Sequence, residues 1–278
     1  MNWDVYPQII EKKCKGNIAI QFICKIWSVI NKKIYRYIDQ MLTIGDIIAC
    51  SINESLDKPI NIKVVPIGTD SLKIKPIEKA KNKFCMQNSI FSKFVVLYSG
   101  KMGYGHNIQM ILDSCTLLKE YKDIHFVFIG NGPGYQTVED YIIKQERSNV
   151  LLFPLQPVEI FPFSIACGDV GLVSQERNLS HLFMPSKTYD MMSAGLAIIG
   201  ICSGVDDLSK LIDQNNNGLY ITSNDSRDLA NAILLLYKDS QLLNQYKSNS
   251  RSAATKKYDK SIIEEMYRDN FQAILMKA

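Results

Sequence analysis

The sequence has few of the residues that build metal centres and dithiol sites. It contains only three histidines and seven cysteines in 278 residues. No cysteines form a Cys-x-x-Cys pair and no histidine lies near one, which argues against zinc and redox motifs. An odd number of widely scattered cysteines is typical of a reducing compartment, so we expect a cytoplasmic protein.

Long apolar runs, strong net charge and a hydrolase motif are also missing. A net charge of +4 is too small to indicate a nucleic-acid partner. Gln21 and Lys25 interrupt the most apolar segment, residues 18–30, which is too short to span a bilayer. The sequence has no Gly-x-Ser-x-Gly elbow or Ser/His/Asp set, which argues against a hydrolase. An apolar content of 46% is that of a globular protein, with one large or two modest domains.

The positive charge is concentrated near the amino terminus. Residues 1–40 carry seven cations and three anions, an excess equal to the net charge of the whole chain. The apolar period predicts a helix over Ile18 to Tyr37. The basic residues of 12–36 are either a solvated face over a packed helix or a contact with an anionic membrane surface.

From residue 94 onward, β-rich strands alternate regularly with helices. Such alternation predicts a doubly wound parallel sheet that is covered on both faces. Before it we expect short strands over Asp46–Ser51 and from Ile62 to Val65. The Lys-rich residues 71–92 show no apolar period and are predicted to be an irregular linker.

The stretch from Met184 to Ile199 has the chemistry of a phosphate site. Pro185 and Ser186 are helix-start residues, and Lys187 adds a cation to the first turn, where an anion is needed to compensate it. Asp190 follows one turn later, within reach of a sugar hydroxyl. An ordinary helix start remains the alternative.

Two glycine-rich loops follow the first two predicted strands of the alternating region. The first, residues 99–107, holds Lys101 and His106 among its glycines, and the second is Gly-Asn-Gly-Pro-Gly134. Their order is not the dinucleotide fingerprint, so a nicotinamide cofactor is not expected. The glycines allow a ligand to approach the backbone closely: Gly100, Gly103, Gly105, Gly130 and Gly132.

These motifs together resemble GT-B glycosyltransferases, specifically the retaining family 4. That family has a Glu-x₇-Glu pattern followed by a helix and Ala-Gly-x-Pro-Val-Ile. Asp190 matches the second acidic position, which holds the donor ribose, and Leu182 occupies the first. The Pro-Ser-Lys form resembles a subgroup that builds capsule, O-antigen and exopolysaccharide.

The resemblance also gives the loops a role. The first loop is similar to the family's Gly-Asn-Leu-Gly donor loop, so Lys101 and Lys187 are expected to approach the diphosphate from two sides. For His106 two roles remain as alternatives: a contact with the phosphate, or a capping or surface role. Leu155 follows the third strand, where the family's backbone reads the base. Binding of the nucleotide sugar is therefore assigned to a set of eleven residues: Gly100, Lys101, Gly103, His106, Gly130, Gly132, Leu155, Pro185, Ser186, Lys187 and Asp190.

The implied function is transfer of a sugar from a UDP- or GDP-sugar to a lipid-linked surface glycan with retention of configuration. No cofactor and no metal are expected, because lysines and helix dipoles stabilise the leaving diphosphate. The sequence has no Asp-x-Asp strand end, which argues against the GT-A class. It identifies no catalytic residue. A lipid-linked acceptor implies a cytoplasmic or peripheral location on the inner face of the plasma membrane.

The resemblance also predicts how the chain is organised. Residues 1–70 are expected to be the remnant of an acceptor-side domain, 71–92 a linker, 93–257 the nucleotide-sugar domain and 258–278 a helix that returns to the first part. The run from Asp4 to Pro7 resembles a segment deep inside the family's first domain, with Trp3 at a histidine position. The first part of that domain is then missing, and an upstream partner chain is expected to supply it. The alternatives are an inactive nucleotide-sugar-binding module and a sugar-nucleotide 2-epimerase.

Overall fold

The computed structural model describes residues 5–103, 106–145, 148–175 and 179–276. Trp3, Asp4 and Gly105 lie outside the described residues. None of the helices in these ranges is long and apolar enough to cross a membrane.

The described residues before 70 form a small unit around two strands. The strands pair in parallel with Met41 opposite Ile62, and each is only three residues long. In chain order the elements are α1 (Gln8–Lys13), α2 (Ile18–Tyr35), β1 (Met41–Thr43), α3 (Asp46–Glu54) and β2 (Ile62–Val64).

The strand predicted over Asp46–Ser51 is wrong, because these residues belong to helix α3. Ile48 and Ile52, one helical turn apart, are both buried. A short apolar run does not distinguish a buried strand from a buried helix. Ile48 and Ile52 lie on the same face of a helix, and the burial of both side chains on that face favours the helix over the strand.

The rest of the chain alternates strands and helices as the sequence predicts. A 3₁₀ turn (Lys79–Lys81) precedes the first of these elements. They are α4 (Lys83–Gln87), β3 (Phe94–Lys101), α5 (Ile108–Leu117), β4 (Ile124–Asn131), α6 (Pro133–Gln145), β5 (Val150–Phe153), α7 (Phe161–Ile165), β6 (Val170–Ser174), α8 (Lys187–Ser193), β7 (Ala197–Ile201), α9 (Asp207–Asn215), β8 (Gly218–Ile221), α10 (Ser226–Lys238), α11 (Ser240–Lys256) and α12 (Lys260–Leu275).

The last six strands form one parallel sheet in the order β5-β4-β3-β6-β7-β8. The chain builds outward from β3 to β5 and then returns to the other side of β3 with β6. Strand order therefore reverses between β3 and β6. In open α/β sheets ligands bind at the carboxyl edge of this reversal point.

Both faces of the six-stranded sheet are covered, and β3 shows how. Val95 and Leu97 pack into one apolar cluster, whereas Val96 and Tyr98 pack into the cluster on the opposite face. Alternate side chains of a strand point to opposite faces, so an uninterrupted apolar strand requires helices on both sides. The sequence prediction of a doubly wound parallel sheet is confirmed.

The segment between residues 71 and 92 is held by a buried carboxylate at the start of β6. Asp169 forms ion pairs with Lys79, in the 3₁₀ turn, and with Lys247 of α11, the latter at 3.0 Å. It also accepts a hydrogen bond from the backbone N–H of Val95 at 2.9 Å. Burial favours the neutral carboxyl, but the two lysines outweigh it and lower the pKa of Asp169.

The chain crosses back to the first unit at residue 259. Thr69 and Asp259 form a parallel bridge, and the N–H of Lys260 donates to the Thr69 carbonyl at 2.9 Å. Helix α12 then places Ile263 against Leu42 and Val65.

Candidate functional site

The residues that the sequence singles out meet at the carboxyl edge of the sheet, where strand order reverses. Lys187 begins α8, and its ammonium nitrogen lies 3.8 Å from the centre of the Tyr98 ring of β3. A Cβ atom built on Gly100 would lie 3.4 Å from Cδ of Lys187. The lysine thus crosses from α8 to the last residues of β3.

The ammonium nitrogen of Lys187 is buried although part of its side chain remains exposed. It has no hydrogen-bond partner among the described residues. Burial lowers the pKa of Lys187 to about 7. A cation held against an aromatic face is stabilised by the ring quadrupole, but its N–H groups remain unsatisfied. An anion that enters this edge would supply the missing acceptors.

Tyr98 connects Lys187 to the glycine-rich loop. Its hydroxyl donates to the carbonyl of Lys101 at 2.9 Å and lies 2.9 Å from Nδ1 of His106. Because the hydroxyl has one proton, Nδ1 of His106 donates to it, which leaves Nε2 as an acceptor. Burial and the nearby charge of Lys187 lower the pKa of His106 to about 4. His106 is therefore a neutral positioning group near pH 7, and it adds no charge for a phosphate.

The two glycine-rich loops touch because they lack side chains. Gly100 has a φ of +128°, a conformation that L side chains rarely adopt. A Cβ on Gly130 would lie 1.9 Å from the Gly100 carbonyl oxygen, so the ends of β3 and β4 approach only with glycine there. Gly132 and Gly103 continue the same edge next to Met102 and His106.

Asp190 lies on α8 and faces the crossing point of the chain. It accepts a hydrogen bond from the Thr69 hydroxyl at 2.8 Å. Burial raises the pKa of Asp190, and the Thr69 hydrogen bond only partly offsets it. The residue at the family's first acidic position, Leu182, is 2% exposed and packs in the apolar core.

Of the remaining predicted residues, Lys101 meets this group through its backbone carbonyl, which accepts from the Tyr98 hydroxyl. Leu155 follows β5, the outermost strand, and is 55% exposed. Ser186 was expected to start α8 through its hydroxyl, but it has helical φ and ψ and makes no side-chain capping bond. Pro185 is half-buried before it, and Lys101 is exposed at the end of β3.

The sequence analysis missed three polar residues of this edge. Tyr98 looks like a core aromatic in an apolar strand, and nothing in the sequence indicates its hydroxyl contacts. Ser174 and Gln175 end β6 at the reversal point, and Ser174 Oγ and Gln175 Oε1 are buried without partners among the described residues. A polar pair at the end of a fully buried strand was the available signal.

The described ranges contain no group of three or more His, Cys, Asp or Glu side chains that could hold a metal ion.

Residues 93–239 match the family model of the group 1 glycosyl transferases. The chain belongs to this family. The match includes the six-stranded sheet, both glycine-rich loops and the Lys187 region, and it spans more than half of the chain.

A curated relative extends the similarity beyond this region. The chain is 25% identical over 233 residues to the probable glycosyltransferase WbjE of Pseudomonas aeruginosa. The alignment covers 83% of the present chain and 57% of the relative. The chain thus spans little more than half the length of that protein.

Solved structures show that the fold is of the GT-B type. Sucrose-phosphate synthase from Thermosynechococcus elongatus superposes with a TM-score of 0.76 at 14% identity, covering 91% of this chain and 63% of that one. Anabaena HepE, solved in complex with UDP and glucose, superposes with a TM-score of 0.73 at 16% identity. This match covers 86% of the present chain and 64% of the HepE chain. These identities are low, so the likeness establishes the fold and not the substrate.

Proposed function

We propose that this chain forms the donor-binding part of a retaining family 4 glycosyltransferase that uses a UDP- or GDP-sugar. The observation that carries the proposal is the buried ammonium of Lys187, which has no partner among the described residues and lies at the point of strand reversal. The UDP complex of HepE, which shares the fold, supports a nucleotide-sugar donor.

The donor diphosphate is assigned to the edge between Gly100 and Lys187. A phosphate oxygen there would accept charge-assisted hydrogen bonds from Lys187, and the exposed Lys101 can reach the same ligand from the loop. Charge on the leaving diphosphate develops during transfer, so a cation that is already oriented lowers the barrier. This chemistry requires neither a metal nor a cofactor.

The nucleoside end of the donor is assigned to Asp190 and Leu155. The carboxylate of Asp190 would accept from a ribose hydroxyl on the edge that does not contact Thr69, and the backbone near Leu155 would contact the base. The acceptor is proposed to be a lipid-linked unit of a capsule, O-antigen or exopolysaccharide. Such an acceptor would bring the reaction to the inner face of the plasma membrane, and membrane contact through basic residues 12–36 stays a prediction.

Calorimetric titration with UDP and GDP, with and without EDTA, tests the donor site. We expect binding that is independent of EDTA, and a Lys187→Met variant that binds more weakly by about 1.5–3 kcal/mol, the usual loss of a charged hydrogen bond. Lys238→Met is the matched control, because Lys238 also stands over a tyrosine ring, Tyr121, at 5.8 Å. Binding that disappears with EDTA, or equal affinity in both variants, would contradict the proposal.

A binding module without transfer activity is the second candidate. The observation in its favour is that the chain spans only 57% of its curated relative. A donor cleft with one wall neither excludes water nor positions an acceptor. We therefore expect the lone chain to bind the donor but to transfer sugar slowly or not at all. Donor turnover to a glycan acceptor by the 278-residue chain would exclude this candidate.

A further inference from the structure

A short stretch of chain between β6 and α8 leads directly to the donor edge. We call residues 179–184 the connecting segment, and Lys187 begins α8 shortly after it. Its apolar residues Leu179, Leu182 and Met184 are buried in the core. The backbone of these residues belongs to no strand and no α-helix. Hydrogen bonds from neighbouring elements must therefore fix its course.

The large sheet supplies two contacts to the connecting segment. The side-chain amide of Gln175, at the end of β6, donates to the Phe183 carbonyl at 3.0 Å. The hydroxyl of Ser180 contacts that of Ser203, which follows β7. These two contacts leave His181 and Leu182, the residues in between, to other partners.

The small unit supplies the contacts to these two residues. The N–H of Val5 donates to the Leu182 carbonyl at 3.1 Å. The Ser51 hydroxyl of α3 donates to the His181 carbonyl at 3.2 Å. The connecting segment is thus held by both units, so the approach of the chain to Lys187 depends on contacts from both.

A third contact with the small unit depends on the His181 ring. Nζ of Lys12 in α1 lies 2.7 Å from Nε2 of His181. An ammonium group can only donate, so Nε2 accepts and the ring is neutral, with its proton on Nδ1. Burial and the charge of Lys12 lower the pKa of His181. The carboxylates of Glu54 in α3 and Asp206 before α9 act in the opposite direction but do not outweigh these two effects.

We propose that His181 is a positioning residue of the donor site: its neutral ring connects α1 to the connecting segment and thereby holds Lys187 at the donor edge. The inference rests on the proposed function, because Lys187 is the group that would bind the diphosphate. Protonation of His181 would put an N–H on Nε2 opposite the Lys12 ammonium, and the contact would be lost. A group that fixes the binding-competent arrangement changes ligand affinity without touching the ligand.

Two variants separate the hydrogen bond from the bulk of the side chain. His181→Gln keeps a neutral acceptor for Lys12 but cannot be protonated, whereas His181→Leu keeps bulk and removes the acceptor. At pH 7.5 we expect the wild type and His181→Gln to bind UDP or GDP equally in calorimetry. His181→Leu should bind about fivefold more weakly, as is typical of residues that act through other groups. His125→Gln is the matched control, because His125 lies at the amino end of β4, away from the donor edge.

The pH dependence is the readout that a packing role would not change. As the pH falls from 7.5 to 5, wild-type affinity should decrease relative to that of His181→Gln, because only the wild-type ring takes up a proton. Ionisation of the nucleotide and of Lys187 is common to both proteins and cancels in the ratio. A double-mutant cycle should also show non-additive effects of His181→Leu and Lys12→Met, since the two residues share one contact.

Amide exchange without nucleotide keeps this inference separate from the donor site. His181→Leu should accelerate exchange in the connecting segment and the first turn of α8, and His181→Gln should not. If this pattern appears while the wild type binds neither UDP nor GDP, only the proposed donor site is contradicted. If His181→Leu does not fold, the pH dependence of the ratio between the wild type and His181→Gln decides.

Three results overturn the inference. The first is equal exchange in the wild type and both variants. The second is a His181→Gln variant that binds nucleotide as weakly as His181→Leu, because the ring and not its acceptor would then matter. The third is a ratio of wild-type to His181→Gln affinity that does not change with pH. Nucleotide binding by the wild type in any of these cases leaves the donor site in place.

Discussion

The six-stranded sheet and the two-stranded unit follow the same strand-helix pattern but differ in coverage. In the large sheet, Val96 and Leu97 point to opposite faces and both are fully buried. In the small unit, β1 pairs with one strand among the described residues, and α2 leaves Phe22 63% exposed. The pattern alone therefore does not make a self-sufficient domain. Each face and edge must also be covered.

The small unit obtains part of its order from the large one. The N–H groups of Ile47 and Ile48 at the start of α3 donate to the Asp207 carboxylate of α9 at 3.0 and 3.1 Å. Burial raises the pKa of Asp207, and these hydrogen bonds partly offset the effect. Helix α3 is thus capped by a residue some 160 positions away in the chain.

Amide exchange should show the largest contrast between the two units. We expect strong protection from about residue 93 to 250, increased by UDP or GDP, and weak protection in α2 and β1. Open edges and solvent-facing helices exchange through local opening, at a much smaller free energy than global unfolding. Hydrogen–deuterium exchange of the lone chain, followed by mass spectrometry, measures this difference in protection. Uniform protection across both units would show that the first unit is a complete domain.

Asp169→Asn tests what holds the linker to the large sheet. It removes the charge that pairs with Lys79 and Lys247, two cations that are mostly buried. Breaking a buried ion pair costs about 3–5 kcal/mol, and the partial exposure of Lys247 places the expected loss near the lower end. Urea unfolding measures this loss in the free energy of unfolding. Asp123→Asn, which breaks the exposed pair with Lys93, should change the stability by less than about 1 kcal/mol.

Asp190→Ala should weaken donor binding by about 1–3 kcal/mol, because a ribose hydroxyl would lose its acceptor. The hydrogen bond from Thr69 to Asp190 provides a second variant that separates ribose binding from a structural role of Asp190. Thr69→Val removes the hydroxyl that ties Asp190 to the crossing point but keeps the carboxylate. If calorimetry shows equal losses in both variants, Asp190 acts by holding the crossing point and not by binding ribose.

Asp207→Ala should loosen the small unit selectively. Loss of a helix cap costs about 0.5–2 kcal/mol, so exchange in α3 should accelerate while β3 and β4 keep their protection. The control is Asp225→Ala, which removes the cap of α10 inside the large unit. If Asp207→Ala accelerates exchange throughout the sheet, the two units unfold as one.

The sequence predicted the large sheet well because its strands are buried on both faces and punctuated by glycine. The alternation was predicted from residue 94 onward, and β3 begins at Phe94. The sequence failed where a distant residue decides the local structure, as for α3. It missed α11, whose apolar residues are too sparse to give a period, and it missed the hydroxyl contacts of Tyr98, which depend on a neighbouring loop.

The last expected effect is the pH dependence of donor binding. The pKa of Lys187 is about 7 in the free protein, below its usual value near 10.5. The diphosphate binds the protonated amine, so above pH 7 binding must take up a proton, and affinity should fall by up to about tenfold per pH unit. His106, with a pKa of about 4, and Tyr98, whose pKa is raised by burial, do not titrate in this window.

The same lowered pKa has the opposite consequence for the free protein. Between pH 7 and the usual lysine value, the unfolded chain binds more protons at Lys187 than the folded chain does, so this group makes stability rise with pH. Donor affinity and stability should therefore have slopes of opposite sign. Calorimetry at pH 7 and 8.5, in two buffers of different ionisation enthalpy, measures the proton uptake, and urea unfolding measures the stability. Lys187→Met should remove the Lys187 contribution from the pH dependence of donor affinity and from that of stability. Lys238→Met should leave both pH dependences unchanged. A proton uptake that persists in Lys187→Met would assign the titration to another group and leave Lys187 as a packing residue of the large sheet.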